Sequence, residues 1–115
     1  GLVRLLVVLR GPPGTTTYSR PGFAHLLCFA PSVRNEQHNA TPDVLPQLGE
    51  MDWPRAMGLD VATTAIRWLR DHAAAKTIVA PFCGTGTALT AANQLGLHAI
   101  GIERSTSRAA RASRQ

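Results

Sequence analysis

Glycine and threonine alternate in one short loop of the chain, a pattern suited to holding a ligand. Gly84 and Gly86 alternate with Thr85 and Thr87, directly after the apolar run 77–80. Glycines allow a ligand to approach the backbone closely and can take positive φ angles, while threonine hydroxyls add polar groups beside a helix N-terminus. The unpaired N–H groups of such a terminus are further donors. We therefore predict a ligand-binding loop here.

The elements around the loop are typical of a nucleotide-binding sheet. Residues 77–80 are predicted to form a buried strand that Pro81 ends, because proline has no N–H for a strand ladder. The spacing of apolar residues over 87–95 predicts a helix, and 98–102 predict a second strand. Glu103 follows that strand, about 20 residues after the first glycine, where such a sheet places the carboxylate that accepts from ribose hydroxyls.

Three classes of ligand fit this unit to different degrees. A phosphate loop of the NTPase type needs a lysine after its glycines, and none is present. The dinucleotide fingerprint needs a third glycine where this chain has Leu89. The segment 81–87, Pro-Phe-Cys-Gly-Thr-Gly-Thr, resembles the first motif of S-adenosylmethionine-dependent methyltransferases, in particular those that methylate exocyclic amines of bases in DNA or RNA.

The resemblance covers roughly residues 22–110, and its specific part is 79–103. It implies an α/β, Rossmann-like methyltransferase fold, partial and permuted, with S-adenosylmethionine as the cofactor and nucleic acid as the substrate. The residues implied to contact the cofactor belong to the loop and to the acidic end of the second strand: Ala80, Pro81, Phe82, Cys83, Gly84, Thr85, Gly86, Thr87, Glu103 and Arg104.

The chain departs from the family pattern at two places. Ala80 stands where the family has an aspartate. The second family motif, Asp/Asn/Ser-Pro-Pro-Tyr/Phe, does not occur, and Gly11-Pro-Pro-Gly14 has only its prolines. No catalytic residue is therefore assigned. A catalytically silent nucleotide- or partner-binding module with the same fold is the alternative that both departures favour.

A helix is predicted before the glycine loop. It starts near Asp52 or Trp53, with Pro54 in the first turn, and runs to about His72. Its apolar face should cover the sheet, and the residues of that face are Met57, Val61, Ala65, Trp68 and Leu69. By the resemblance, Trp53 and Arg55 are further cofactor-pocket residues. A hydrophobic staple at Trp53 and an exposed side chain at Arg55 are the alternatives.

The first part of the chain predicts an antiparallel hairpin at the edge of the sheet. The apolar runs 2–9 and 23–29 are separated by a proline- and glycine-rich loop. His25 lies near the start of the second run, and a structural role is favoured over a catalytic one because no partner stands at a recognisable spacing. Residues 31–51 are predicted to be a surface loop within a single domain, 1–115.

Composition and charge limit the remaining function classes. The chain has 115 residues and a net charge of +5, and this charge favours a polyanionic partner. The arginines near the C-terminus recur at three- and four-residue spacing, which is typical of one solvated helix face. Two cysteines without metal-ligand spacing predict free thiols and no metal site. With neither a membrane span nor a signal peptide, a cytoplasmic location is expected. Because the chain opens at Gly1 within an apolar strand, we expect a fragment whose target-base pocket lies upstream.

Overall fold

The structure is a computed structural model that describes residues 2–14, 17–19, 21–32, 41–49 and 58–113. The described elements of the first half of the chain are all strands, and those of the second half are alternating helices and strands. In chain order the elements are β1 Leu2–Leu9, β2 Phe23–Phe29, β3 Val44–Leu45, α1 Leu59–Ala73, β4 Thr77–Ala80, α2 Thr87–Gln94, β5 His98–Gly101 and α3 Thr106–Ala112.

The first two strands have the predicted bounds and pair antiparallel, with Val7 opposite His25. Their alternating apolar residues put Leu6, Val8 and Cys28 in the interior. This alternation is what local sequence predicts for a strand with one buried face.

A short strand lies inside the segment that was predicted to be a surface loop. β3 pairs parallel with β1, and Val7 N–H donates to the Asp43 carbonyl at 2.9 Å. The Arg4 guanidinium binds the Asp43 carboxylate at 2.8 Å and also donates to the Thr41 carbonyl. These contacts come from a strand about 40 residues earlier, so the polar local sequence could not indicate them.

The second half of the chain is a βαβ unit, as predicted. β4 and β5 are parallel, in register from Thr77 opposite His98 to Ala80 opposite Gly101, and α2 makes the crossover between them. Gly96 ends α2 with φ 75°. The Leu97 N–H donates to the Ala92 carbonyl at 2.9 Å, and this bond completes a Schellman motif.

The described strands form two separately hydrogen-bonded sheets, in the orders β2-β1-β3 and β4-β5. The sequence predicted a single sheet with an antiparallel hairpin at its edge. The α/β class and the antiparallel pairing of β1 with β2 agree with this prediction, whereas the division of the described strands into two sheets does not. Helix α1 packs on both sheets. Its residues Ala62 and Ile66 share a core cluster with Ile78, while Trp68 shares one with Leu6 and Cys28.

Helix α1 begins at Leu59, not near Asp52 or Trp53 as predicted, because Gly58 is extended with φ −72° and ψ 148°. The carbonyl of Leu48 accepts the N–H groups of Asp60 and Val61 at 3.0 and 3.3 Å, and so replaces a side-chain cap. A Cβ on Gly58 would lie 2.0 Å from that carbonyl oxygen, so this start needs glycine. The predicted cap region, 52–54, lies outside the described residues.

The buried face of α1 is rotated from the predicted one. Its buried residues are Ala62, Ile66, Trp68 and His72. Of the predicted face, Trp68 is buried, Val61, Ala65 and Leu69 are only half-buried, and Met57 lies outside the described residues. The reason is that α1 packs against α2 as well as both sheets, so a single-sided stripe does not describe its surroundings. Within the described ranges, no helix is long and apolar enough to cross a membrane.

Candidate functional site

The glycine loop is bound to the end of β5 by backbone hydrogen bonds. Ile102 N–H donates to the Ala80 carbonyl at 3.0 Å, and Cys83 N–H donates to the Ile102 carbonyl at 3.0 Å. Gly86 N–H then donates to the Cys83 carbonyl at 3.0 Å, which closes the turn. The loop therefore continues the β4-β5 ladder at the carboxyl ends of two parallel strands, where ligands bind in open α/β sheets.

Both loop glycines have the positive φ angles that the sequence predicted. Gly84 has φ 56° and Gly86 has φ 98°. Gly86 is the N-cap residue of α2 and, as a glycine, offers no side-chain cap. A Cβ built on Gly84 would meet nothing within 4 Å, so the backbone at this residue borders open space and a ligand can approach it.

Glu103 connects the end of β5 to this loop. Its Oε2 accepts the Gly84 N–H at 2.7 Å, and its Oε1 accepts the Ser105 N–H at 2.9 Å. The hydrogen bond from Ser105 is the main cause that lowers the pKa of Glu103, and the bonds from Gly84 and Arg104 and the charge of Arg108 act in the same direction. The side chain is therefore an oriented carboxylate that is ionised at neutral pH.

A cavity of about 720 Å³ lies beside the loop. The predicted site residues on its wall are Ala80, Pro81, Phe82, Cys83, Gly84, Thr85 and Thr87. Phe82 is 93% exposed, so its ring is free to meet a ligand. Gly86, Glu103 and Arg104 do not line this cavity, and Trp53 and Arg55 lie outside the described residues.

Other elements contribute wall residues that sequence reasoning did not place in the site. Arg10 and His25 come from the hairpin, and Val61 and Ala65 come from α1. The exposed His25 ring lies 5.3 Å from the ring of Phe23. No local pattern links these residues to the glycine loop, because only the packing of α1 against both sheets brings them to one cavity.

Helix α2 approaches β5 closely at a glycine on the strand. A Cβ on Gly101 would lie 2.7 Å from Leu89 Cδ1 and 2.8 Å from Cys83 Sγ. Leu89 occupies the position where the dinucleotide fingerprint has a glycine for close helix–strand packing. Here the small residue is on the strand instead, so the helix keeps a large apolar side chain.

The cysteines do not form a disulfide: Cys28 is buried and Cys83 is half-buried in the loop. Burial raises the pKa of the Cys28 thiol, and the charge of Arg4 partly opposes this. In the described part of the chain, no three His, Cys, Asp or Glu side chains are grouped as metal ligands.

No protein-family model and no curated protein matches the chain. Among solved structures, it is similar to TTHA0409, a candidate DNA modification methylase of Thermus thermophilus complexed with S-adenosyl-L-methionine. The TM-score is 0.65 at 18% identity, over 99% of this chain and 52% of the other. It is also similar to M1.HpyAVI in complex with SAM, with a TM-score of 0.64 at 20% identity, over 98% of this chain and 60% of the other. The chain thus shares its α/β fold with these proteins and spans little more than half of their length.

Proposed function

We propose that the glycine loop and Glu103 bind S-adenosylmethionine, and that the chain is the cofactor-binding part of a methyltransferase. The observation that carries this proposal is the Glu103 carboxylate, hydrogen-bonded to Gly84 N–H at the adjoining ends of two parallel strands. The solved proteins that share the fold are complexed with the same cofactor, which supports the assignment.

The residues of the loop fit the two ends of this cofactor differently. A carboxylate has about four acceptor positions, and the backbone N–H groups of Gly84, Ser105 and Arg104 already bond to Glu103. The remaining positions would accept hydrogen bonds from the ribose hydroxyls. Gly84 leaves room for close approach at the methionine end, where Ala80 offers a methyl group in place of the family's aspartate.

The proposed acceptor is an exocyclic amine of a base in DNA or RNA, and the proposed location is the cytoplasm. Bound S-adenosylmethionine supplies an electrophilic methyl group on a sulfonium sulfur. Transfer to an amine depends chiefly on the alignment of the two reactants. The net charge of +5 suits a nucleic acid. The sequence lacks the tetrapeptide that by resemblance holds the target amine, so this chain supplies the cofactor side of the reaction.

Titration calorimetry with S-adenosylmethionine and with NAD tests the proposal. We expect weak binding of S-adenosylmethionine and no measurable binding of NAD, because Leu89 replaces the third glycine of the dinucleotide fingerprint. Tighter binding of NAD than of S-adenosylmethionine would contradict the assignment.

A catalytically silent binding module is the second candidate function, and Ala80 is the observation that favours it. Ala80 lies on the cavity wall, where a carboxylate would be within the pocket. By the family resemblance, Ala80→Asp should strengthen binding of S-adenosylmethionine in the same titration. Weaker binding by a folded Ala80→Asp variant would show that the alanine suits another ligand and would support the silent module.

A further inference from the structure

A single charged side chain stands on the wall of the cavity beside the glycine loop. Of the described residues that line this cavity, Arg10 alone carries a formal charge, with histidine counted as neutral. No Asp or Glu is among them, and Ala80 stands where the methyltransferase family that the loop resembles has an aspartate. The described part of the wall therefore has a net positive charge.

The hairpin fixes the face on which Arg10 lies. Its N–H donates to the Gly22 carbonyl at 2.8 Å, one pair beyond the last paired residues of β1 and β2. Side chains alternate between the two faces of a strand, so Arg10 lies on the same face as Leu6 and Val8. Leu6 is fully buried and shares a core cluster with Trp68 of α1. Arg10 therefore lies on the face that α1 covers, and it borders the cavity at the end of the hairpin.

Two helices begin at the same cavity. Gly58, which precedes the first residue of α1, lines the wall, and so do Thr87 and Ala88 in the first turn of α2. A helix N-terminus carries a partial positive charge that favours anions. Both helix ends therefore add to the positive potential that the Arg10 guanidinium creates in the cavity.

The two ends of the proposed cofactor would meet different surroundings. Glu103 does not line the cavity, but it accepts the N–H of Gly84, which does. A ligand whose ribose binds Glu103 therefore passes Gly84 and enters the cavity with its other end. In S-adenosylmethionine that end carries a carboxylate and an ammonium group. A guanidinium can bind the carboxylate through two parallel hydrogen bonds, whereas the described wall offers no carboxylate to the ammonium.

We propose that Arg10 binds the carboxylate at the amino-acid end of the cofactor. The cavity then selects adenosine sulfonium or thioether ligands that have an anionic side chain, whether or not that side chain carries an amine. This inference rests on the proposed function, because the loop and Glu103 must hold the adenosine half of the ligand. Arg10 is thus a specificity-determining residue that comes from the hairpin and not from the glycine loop.

The test compares ligands that each lack one charged group. The ligands are S-adenosylmethionine, its decarboxylated analogue, its deaminated analogue and methylthioadenosine, which has no amino-acid end. Each is titrated into the chain and followed by NMR chemical shifts. Removal of the carboxylate should weaken binding by about tenfold or more, as expected for the loss of a hydrogen bond to a charged group. Removal of the amine should change the affinity by less than about twofold, since the described wall holds no charged partner for it.

Arg10→Gln should remove the preference for a carboxylate. The amide keeps hydrogen-bonding capacity without the charge, and the backbone bond to Gly22 is retained, so the fold should be unaffected. The variant should bind S-adenosylmethionine about tenfold more weakly than the wild type and the decarboxylated analogue equally well. Arg67→Gln is the matched control, because it removes the same charge from an exposed residue of α1 that does not line the cavity. It should leave all four affinities unchanged.

Arg55 is the rival for this role. By the family resemblance it belongs to the cofactor pocket, and it lies outside the described residues. Arg55→Gln is therefore titrated with the same four ligands, and we expect it to keep the preference of the wild type for a carboxylate. A preference that is lost in Arg55→Gln and kept in Arg10→Gln would assign the carboxylate to Arg55 and overturn the inference.

Two further results would overturn it. Equal weakening of S-adenosylmethionine and its decarboxylated analogue by Arg10→Gln would show that the arginine acts through the fold. A loss on removal of the amine at least as large as that on removal of the carboxylate would show that another group holds the ammonium. In both cases, binding of methylthioadenosine by the wild type would leave the proposed function standing. If none of the four ligands binds to the folded chain, the proposed function fails and the inference fails with it.

Discussion

Glu103 and the loop glycines determine the candidate site through backbone contacts. The carboxylate accepts the backbone N–H groups of Gly84 and Ser105, and Gly86 gives α2 its N-terminus with a φ of 98°. A substitution at these positions therefore changes the position of the loop as well as its ligand contacts. The predictions below therefore include control variants that separate a displaced loop from a lost ligand contact.

Gly86→Val is expected to abolish binding of S-adenosylmethionine. A β-branched residue at φ 98° is strained, at a cost of roughly 1–3 kcal/mol in folding free energy. Gly14→Val is the matched control, because Gly14 has φ 88° with nothing within 4 Å and lies outside the site. Chemical denaturation should show similar destabilisation of both variants, while calorimetry should show loss of binding only for Gly86→Val. Retained binding by Gly86→Val would show that the loop conformation is not needed.

Glu103 is expected to make the stability of the loop depend on acidic pH. Because its pKa is lowered in the native state, its stabilisation is complete above the ordinary value of 4.5 and is lost as the pH falls through the native value. Melting temperatures between pH 7 and pH 3 should therefore fall more steeply for the wild type than for Glu103→Gln. Parallel curves would show that the carboxylate does not stabilise the fold. Glu103→Ala should also weaken binding of S-adenosylmethionine at pH 7.

The elements of the βαβ unit are held together by close packing between α2 and β5. Ala91 and Ala92 of α2 are fully buried in the cluster that contains Ile78 and Ile66. Beside this cluster, Gly101 allows Leu89 and Cys83 to lie where a side chain would otherwise be. The position of the loop relative to β5 depends on this contact.

Gly101→Ala should destabilise the protein by about 1–3 kcal/mol, the usual cost of overpacking a filled space. Leu89→Ala should relieve part of that cost, since it removes the atom 2.7 Å from the new Cβ. The four members of this double-mutant cycle are compared by denaturant unfolding. Gly22→Ala is the control, because its Cβ would meet only Thr17 Cγ2 at 3.6 Å. Additive effects in the cycle would contradict direct contact between residues 89 and 101.

At the scale of the molecule, α1 joins two sheets whose described strands are not hydrogen-bonded to each other. The cavity between them includes the loop, and one face of both sheets is exposed and apolar. The chain covers 52% of TTHA0409 and 60% of M1.HpyAVI, so the described residues correspond to only part of those folds.

The chain alone is expected not to transfer methyl groups to nucleic acid. Its sequence lacks the Pro-Pro-aromatic motif, and a positioned second reactant contributes roughly 7–11 kcal/mol to such reactions. An assay with radiolabelled S-adenosylmethionine and mixed DNA and RNA measures the transfer. The positive control is a DNA methyltransferase of established activity in the same assay. Transfer by the 115-residue chain itself would contradict the prediction and would direct the search for a target pocket to His25 on the cavity wall.

Local sequence determined the strands and the loop of this protein. The bounds of β1, β2 and β4 and the start of α2 at Thr87 agree with the predictions, because apolar alternation, Pro81 and the glycines act on neighbouring residues. The resemblance of segment 81–87 also pointed to the fold that the chain shares with the solved proteins. The cofactor contacts of these residues stay predictions.

Tertiary structure alone decided the features that depend on distant residues. The start of α1 is set by the Leu48 carbonyl, β3 is held by Arg4 and Val7, and the partner of Glu103 is the Gly84 N–H. Each contact joins segments that are distant along the chain. The pattern of apolar residues within either segment therefore does not predict it. The cavity beside the loop has the same origin, because residues of β2, α1 and the loop line it together only where α1 packs on both sheets.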